Sequence, residues 1–193
     1  MESSRIVLAA DGLDFRQAGN LVDAIRGRLY AVKIHDLWDR HGKDMVTLLK
    51  LRGADGLRVW VDLKLHDVPK TVELRALALK DAGADIVTVH ASGGVEMMKA
   101  AVTSGIDEVY AVTLLTSLGP DEVHVQYGSE TSSAVVVRRL ALLAKAAGVH
   151  GIVCSPQEVS LVRNAIGEGI KIVVPGVRSV GAEVHDQKRT GTH

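Results

Sequence analysis

The chain has 193 residues, 47% of them hydrophobic, which is enough for one sizeable domain with a real core and argues against disorder. Lysine plus arginine and aspartate plus glutamate both number 23, so charge gives no reason to expect a nucleic acid or an anionic membrane as partner. A single cysteine, Cys154, excludes a disulfide within the chain and fits a reducing compartment.

The N-terminus, MESSRIVLAADG, has too short an apolar run for a secretory signal, and no window approaches the ~18 apolar residues of a membrane span. The expectation is a soluble, cytoplasmic protein.

In chain order, short runs rich in Val and Ile recur: RIVLAA (5–10), LYAVKI (29–34), LRVWVDLK (57–64), ADIVTVH (84–90), EVYAVTLL (108–115), HGIVCS (150–155) and KIVVPG (171–176). Segments with helical spacing lie between them. TVELRALALKDAGA places Leu74, Leu77 and Ala78 on one face, and SSAVVVRRLALLAKAAG is a second helix. Runs apolar on both faces suit parallel strands covered by helices. Helix punctuation agrees: SPQE (155–158) reads as a capping box with Pro156 at the first helical position, and Gly83 and Gly148 stand where helices should stop.

Seven β/α units without a linker imply one α/β domain over residues 1–193. A closed (β/α)8 TIM barrel needs eight strands and ~250 residues, and a doubly wound open sheet is the structural alternative. The polar residues favour the barrel. Asp11 follows the first strand, Lys33 lies near the end of the second, and Asp62 and Lys64 close the third. His90 closes the fourth; Thr116 and Ser117, Ser155 and Arg178 follow the fifth, sixth and seventh. In a barrel these strand ends converge on one mouth, where active sites are built.

The third strand, VWVDLKLHDVPKT (59–71), poses the sharpest question, because a strand that should bury itself carries three charges at its end. Residues two apart share a face, so Trp60, Asp62 and Lys64 point one way and Val59, Val61 and Leu63 the other. An Asp62–Lys64 ion pair could be merely structural, and surface pairs contribute little. Four charges near one mouth, Lys33, Asp62, Lys64 and Asp67, are hard to explain as packing.

DLKLHDVPKT resembles the D-x-K-x-x-D-x-P-x-T signature of the orotidine 5′-phosphate decarboxylase family. LAADG, AVKI, TVHASGG, VTLLTS, VCSPQE and PGVR…DQKRTGT resemble the family's other strands and loops in order. Two departures stand out. His35 follows where many members have Gly, and the sequence given does not include the eighth strand with its phosphate-gripping Gly-Arg pair, so the barrel domain is expected to be C-terminally incomplete.

The resemblance implies decarboxylation of orotidine 5′-monophosphate to uridine 5′-monophosphate, in pyrimidine biosynthesis, with neither metal nor organic cofactor. It implies that Lys64 stabilises and protonates the C6 carbanion, and that Asp62 lies by the departing carboxylate and keeps Lys64 charged. Lys33 and Asp11 are implied to hold ribose hydroxyls and orient the charges, Thr116 and Ser117 to contact the pyrimidine, and Arg178 and Gln187 to bind phosphate. Asp67 and Thr71 are implied to reach into a neighbouring subunit's site, which makes the protein a homodimer with shared active sites. His90 is expected to be a hydrogen-bonded structural histidine, Pro69 to set a helix start, and His35 has no assigned role. The alternatives are a magnesium-dependent aldolase like hexulose-6-phosphate synthase, and a non-catalytic nucleotide-binding fragment.

Overall fold

A computed structural model describes residues 4–25, 27–53, 56–128, 131–178 and 191–192. Its seven main strands are β1 (Val7–Ala9), β2 (Ala31–Ile34), β3 (Arg58–Leu65), β4 (Ile86–His90), β5 (Glu108–Val112), β6 (Gly151–Val153) and β7 (Lys171–Val173). The helices are α1 (Phe15–Ala24), α2 (Asp36–His41), α3 (Lys43–Arg52), α4 (Pro69–Asp81), α5 (Gly94–Thr103), α6 (Pro120–Tyr127), α7 (Ser133–Ala147) and α8 (Val159–Ile166). A short parallel pair, β8 (Val177–Arg178) and β9 (Gly191–Thr192), stands apart from the main sheet.

The sheet runs β1-β2-β3-β4-β5-β6-β7 and every pairing is parallel. This is the strand order of a TIM-type barrel and not that of a doubly wound sheet, whose order reverses at a switch point. The sheet curls far enough for Lys171 of β7 to donate a 2.8 Å hydrogen bond to Tyr30 beside β2. The eighth strand of the family pattern is not among the described residues.

Alternation along the strands sorts two cores. Val32, Val59, Val61, Val87 and Ile152 face the helices and pack with Leu49, Val72, Met98, Leu140 and Ile166. Ala31, Trp60, Ile86 and Tyr110 face inward as a separate cluster. Trp60 and Tyr110 meet edge to face at 5.0 Å, a preferred aromatic geometry. Gly151 is the only residue type that fits under the Tyr110 ring, since a Cβ there would lie 2.7 Å from it.

Capping explains several boundaries. Asp14 and Gln17 bond each other's backbone N–H at the start of α1, a reciprocal capping box. Pro69 begins α4 after an extended Val68, and Gly148 ends α7 in the left-handed conformation, φ 75°. At 155–158 the Glu158 carboxylate accepts the Ser155 N–H, but the segment forms one 3-10 turn and α8 starts only at Val159.

The face of α4 differs from the one its spacing suggests. Val72, Ala76 and Leu79 are buried against the barrel, whereas Leu74 and Leu77 are 53% and 39% exposed. The helix carries two apolar stripes, and only one packs inside this chain.

No helix among the described residues is long and apolar enough to cross a membrane.

Candidate active site

The mouth at the C-terminal strand ends opens into a cavity of about 770 Å3. Asp11, Lys33, Asp62, Lys64, Thr88, Thr116 and Ser117 supply its polar lining, and Leu114, Val153 and Pro175 part of its apolar lining. Six of the residues expected from the sequence are thus brought together.

Four of them form an alternating chain of charge. The Lys33 ammonium bridges Asp11 at 2.7 Å and Asp62 at 3.2 Å, and Lys64 reaches the same Asp62 oxygen, Oδ2, at 3.0 Å. Asp62 is 6% exposed. Burial alone would push its carboxyl up, but the Lys33 and Lys64 ammoniums and a hydrogen bond from Thr88 outweigh it and hold the group below the usual carboxylate range. Burial works against the Lys33 charge too, and Asp62 and Asp11 together raise its pKa above the ordinary lysine value. Asp62 and Lys33 thus keep each other ionised in a poorly solvated place, which an isolated charge could not do.

Local backbone geometry aims Lys64. It is the one non-glycine residue with positive φ, 48°, among the described residues. Val61 pairs with Val87 and Leu65 with Val89, so four steps along β3 match two along β4. The excess is a bulge, and it carries Asp62 and Lys64. Such a backbone costs of order 1 kcal/mol or more in a non-glycine residue and persists where surroundings enforce it.

The loops behind the lysines are tied together. The Gly12 N–H donates to the Asp36 carboxylate at 3.1 Å, and Asp36 pairs with Arg40. His35 leads into α2 without a side-chain capping bond. The His90 ring lies tilted by 38° against that of His66, with ring centres 5.2 Å apart. Burial, His66 and Lys64 push its pKa down, which suits a neutral imidazole.

Asp67 does not join the charge chain at the mouth. It is exposed, its carboxylate accepts the Val68 N–H at 2.6 Å, and it does not line the cavity. The fourth charge of the intrachain alternation is therefore Asp11, because the turn into α4 carries Asp67 off the mouth. Thr71, partly buried in the first turn of α4, is likewise outside the cavity lining. Arg178 lies in β8, and Gln187 lies outside the described residues.

Thr88 escapes a reading based on strand ends. It sits mid-strand, donates to Asp62 Oδ1 at 2.7 Å and accepts from the Trp60 indole at 2.7 Å. Period-two alternation from His90 would have placed it on the inner face.

Comparison with known proteins agrees with this geometry. Residues 4–193 match the model of the "Orotidine 5'-phosphate decarboxylase / HUMPS family". The chain is 39% identical to an orotidine 5′-phosphate decarboxylase of Haemophilus influenzae (strain PittEE), over 98% of this chain and 84% of that protein. It is 43% identical to one of Anaeromyxobacter sp. (strain K), over 98% and 83%. A crystal structure of the Lactobacillus acidophilus orotidine 5′-phosphate decarboxylase superposes with a TM-score of 0.78 at 32% identity, covering 90% of this chain and 81% of that one. With its inward Asp62–Lys64 pair at the mouth of a parallel barrel, the chain belongs to the orotidine 5′-phosphate decarboxylase family.

Proposed function

We propose that the protein converts orotidine 5′-monophosphate to uridine 5′-monophosphate and carbon dioxide, with no metal or organic cofactor, and that Lys64 is the proton donor. The observation that carries this reading is the Lys64 ammonium, held 3.0 Å from Asp62 on a strained bulge at the cavity mouth. The names of the relatives supply the substrate.

The chemistry follows from charge. When the bond from C6 to the carboxylate breaks, its electron pair stays on C6 and carbon dioxide leaves. The ring has no carbonyl placed to delocalise that pair, so stabilisation must come from a cation already in position. Lys64 supplies it and then transfers one Nζ proton to C6, ending as a neutral amine that solvent reprotonates. Asp62, kept ionised by two ammoniums, faces the substrate carboxylate before the bond breaks and holds the Lys64 ammonium in place at 3.0 Å. Lys33 and Asp11 take the ribose hydroxyls, Thr116 and Ser117 the pyrimidine, and Arg178 and Gln187 the phosphate. Binding energy from that remote phosphate is available for positioning.

We assign Asp67 and Thr71 to the mouth of a second subunit. Support comes from Asp67 turning away from its own cavity and from the exposed apolar stripe beside it on α4.

The direct test of the donor assignment is Lys64→Ala. Turnover should vanish while uridine monophosphate binding stays measurable, since the lost interaction strengthens only in the transition state. A variant that kept kcat within about tenfold, roughly 1.4 kcal/mol, would remove Lys64 from that role.

A further inference from the structure

We infer that Thr88 is a positioning residue for the reaction: its hydroxyl, fixed by the Trp60 indole, locks the Asp62 carboxylate so that one oxygen faces both lysines. The inference rests on the function proposed above.

The direction of each bond is forced by chemistry. An indole N–H can only donate, so the 2.7 Å bond between Trp60 Nε1 and Thr88 Oγ1 makes the hydroxyl an acceptor there. A hydroxyl has one proton, and the remaining partner at 2.7 Å is Asp62 Oδ1. Thr88 is 1% exposed, so water does not compete for that proton. Oδ1 is thereby engaged on the β4 side, and Oδ2 is left for Lys33 at 3.2 Å and Lys64 at 3.0 Å. A carboxylate is planar, so fixing one oxygen fixes the other. The relay crosses from β3 to β4 where the bulge separates their registers, and there no regular ladder orients the Asp62 side chain.

The groups facing Asp62 are Lys33 from β2, Lys64 from its own strand, and Thr88 and, farther off, His90 from β4; Asp11 stands behind Lys33. Without the hydroxyl, Oδ1 stays buried and unpartnered. The carboxylate then loses a bond that favours its charged form, and its titration moves to higher pH.

The experiment compares Thr88→Val, Thr88→Cys and Thr88→Ser with the unaltered protein. A lost hydrogen bond to a buried charge predicts that Thr88→Val lowers kcat about ten- to a hundredfold. Affinity for uridine monophosphate should change less than about threefold, because the effect falls on the reacting centre and not on uniform binding. The acid limb of the rate profile should shift upward in pH. Thr88→Ser, which restores the donor, should stay within about threefold of the parent in kcat, and Thr88→Cys, a weak donor, should fall between. If the valine variant does not fold, the serine–cysteine gap decides, and equal rates in those two overturn the inference. A valine variant within about threefold of the parent in kcat, or a serine variant as impaired as valine, overturns it as well.

A second readout needs no turnover. With carboxyl-labelled aspartate, the Asp62 carbon signal should titrate at higher pH in Thr88→Val than in the parent and in Thr88→Ser. An unchanged midpoint in the valine variant rejects the positioning role. If instead the parent shows no decarboxylation while the midpoint moves as expected, it is the proposed reaction that fails.

Discussion

Lys64 combines a side chain suited to proton donation with a backbone that resists its own conformation, φ 48°. The strain yields a separable prediction. Within a strand, glycine normally costs roughly 0.5–1 kcal/mol relative to alanine. At a left-handed position the order reverses, because the Cβ clash disappears. Lys64→Gly should therefore melt above Lys64→Ala by an amount worth about 1 kcal/mol, with both inactive. The two variants lack the same ammonium, so only the backbone distinguishes them. If the alanine variant proves the more stable, position 64 is not held in the left-handed region. Asp62 and Lys64 are legible in the sequence because alternation places them inside and the signature names them. The bulge and Thr88 are not, since a register shift leaves no mark on composition and a mid-strand threonine resembles ordinary β filler.

The seven strands show in the sequence as Val- and Ile-rich runs; six lie within the stretch their apolar residues define, and β3 runs one residue past its stretch, to Leu65. Helices 36–41 and 43–52 are not singled out by spacing, since the buried positions of the longer one, Met45, Val46 and Leu49, are interleaved with charges. In α4 periodicity reveals a helix but not which of its two stripes packs inside the subunit. The outward stripe, Leu74 and Leu77, lies on the helix that begins just after Asp67, with Val68, 62% exposed, between them in the chain. Exposed apolar surface of this kind marks an interaction face. We predict that the stripe joins two subunits and that Leu74→Arg with Leu77→Arg shifts a dimer toward monomer in sedimentation, with loss of activity. Mixing inactive Lys64→Ala with inactive Asp67→Ala should regain activity, because a mixed dimer holds one mouth with both original residues. Absence of recovery after verified subunit exchange would exclude shared sites.

At the scale of the whole barrel, the end opposite the mouth holds a second polar cluster that strand-end reasoning does not anticipate. Glu108 of β5 is bonded by Tyr30, Arg58, Tyr110 and Lys171, which join β3, β5, β7 and the residue just before β2 across the interior. Burial alone would push the Glu108 carboxyl up, yet bonds from Lys171, Tyr110 and Tyr30 hold it at about 2, below the ordinary 4.5. Since the folded value is depressed, the stabilisation is complete above about 4.5 and is lost as pH falls towards about 2. Arg58 and Lys171 are partly open to water, which screens the cluster, so Glu108→Gln should cost about 2 kcal/mol at neutral pH. Denaturant titrations should show the gap between the variant and the parent closing as pH falls through that window. A gap independent of pH would mean that the cluster contributes by packing and not by charge.

We propose that a lysine held by an aspartate, with no metal, decarboxylates the nucleotide at the barrel mouth. The most direct test follows loss of orotidine 5′-monophosphate absorbance with the purified protein in excess chelator. The expected result is conversion to uridine 5′-monophosphate at a rate that chelation leaves unchanged and Lys64→Ala abolishes. Activity that disappears with the chelator and returns with magnesium would contradict it.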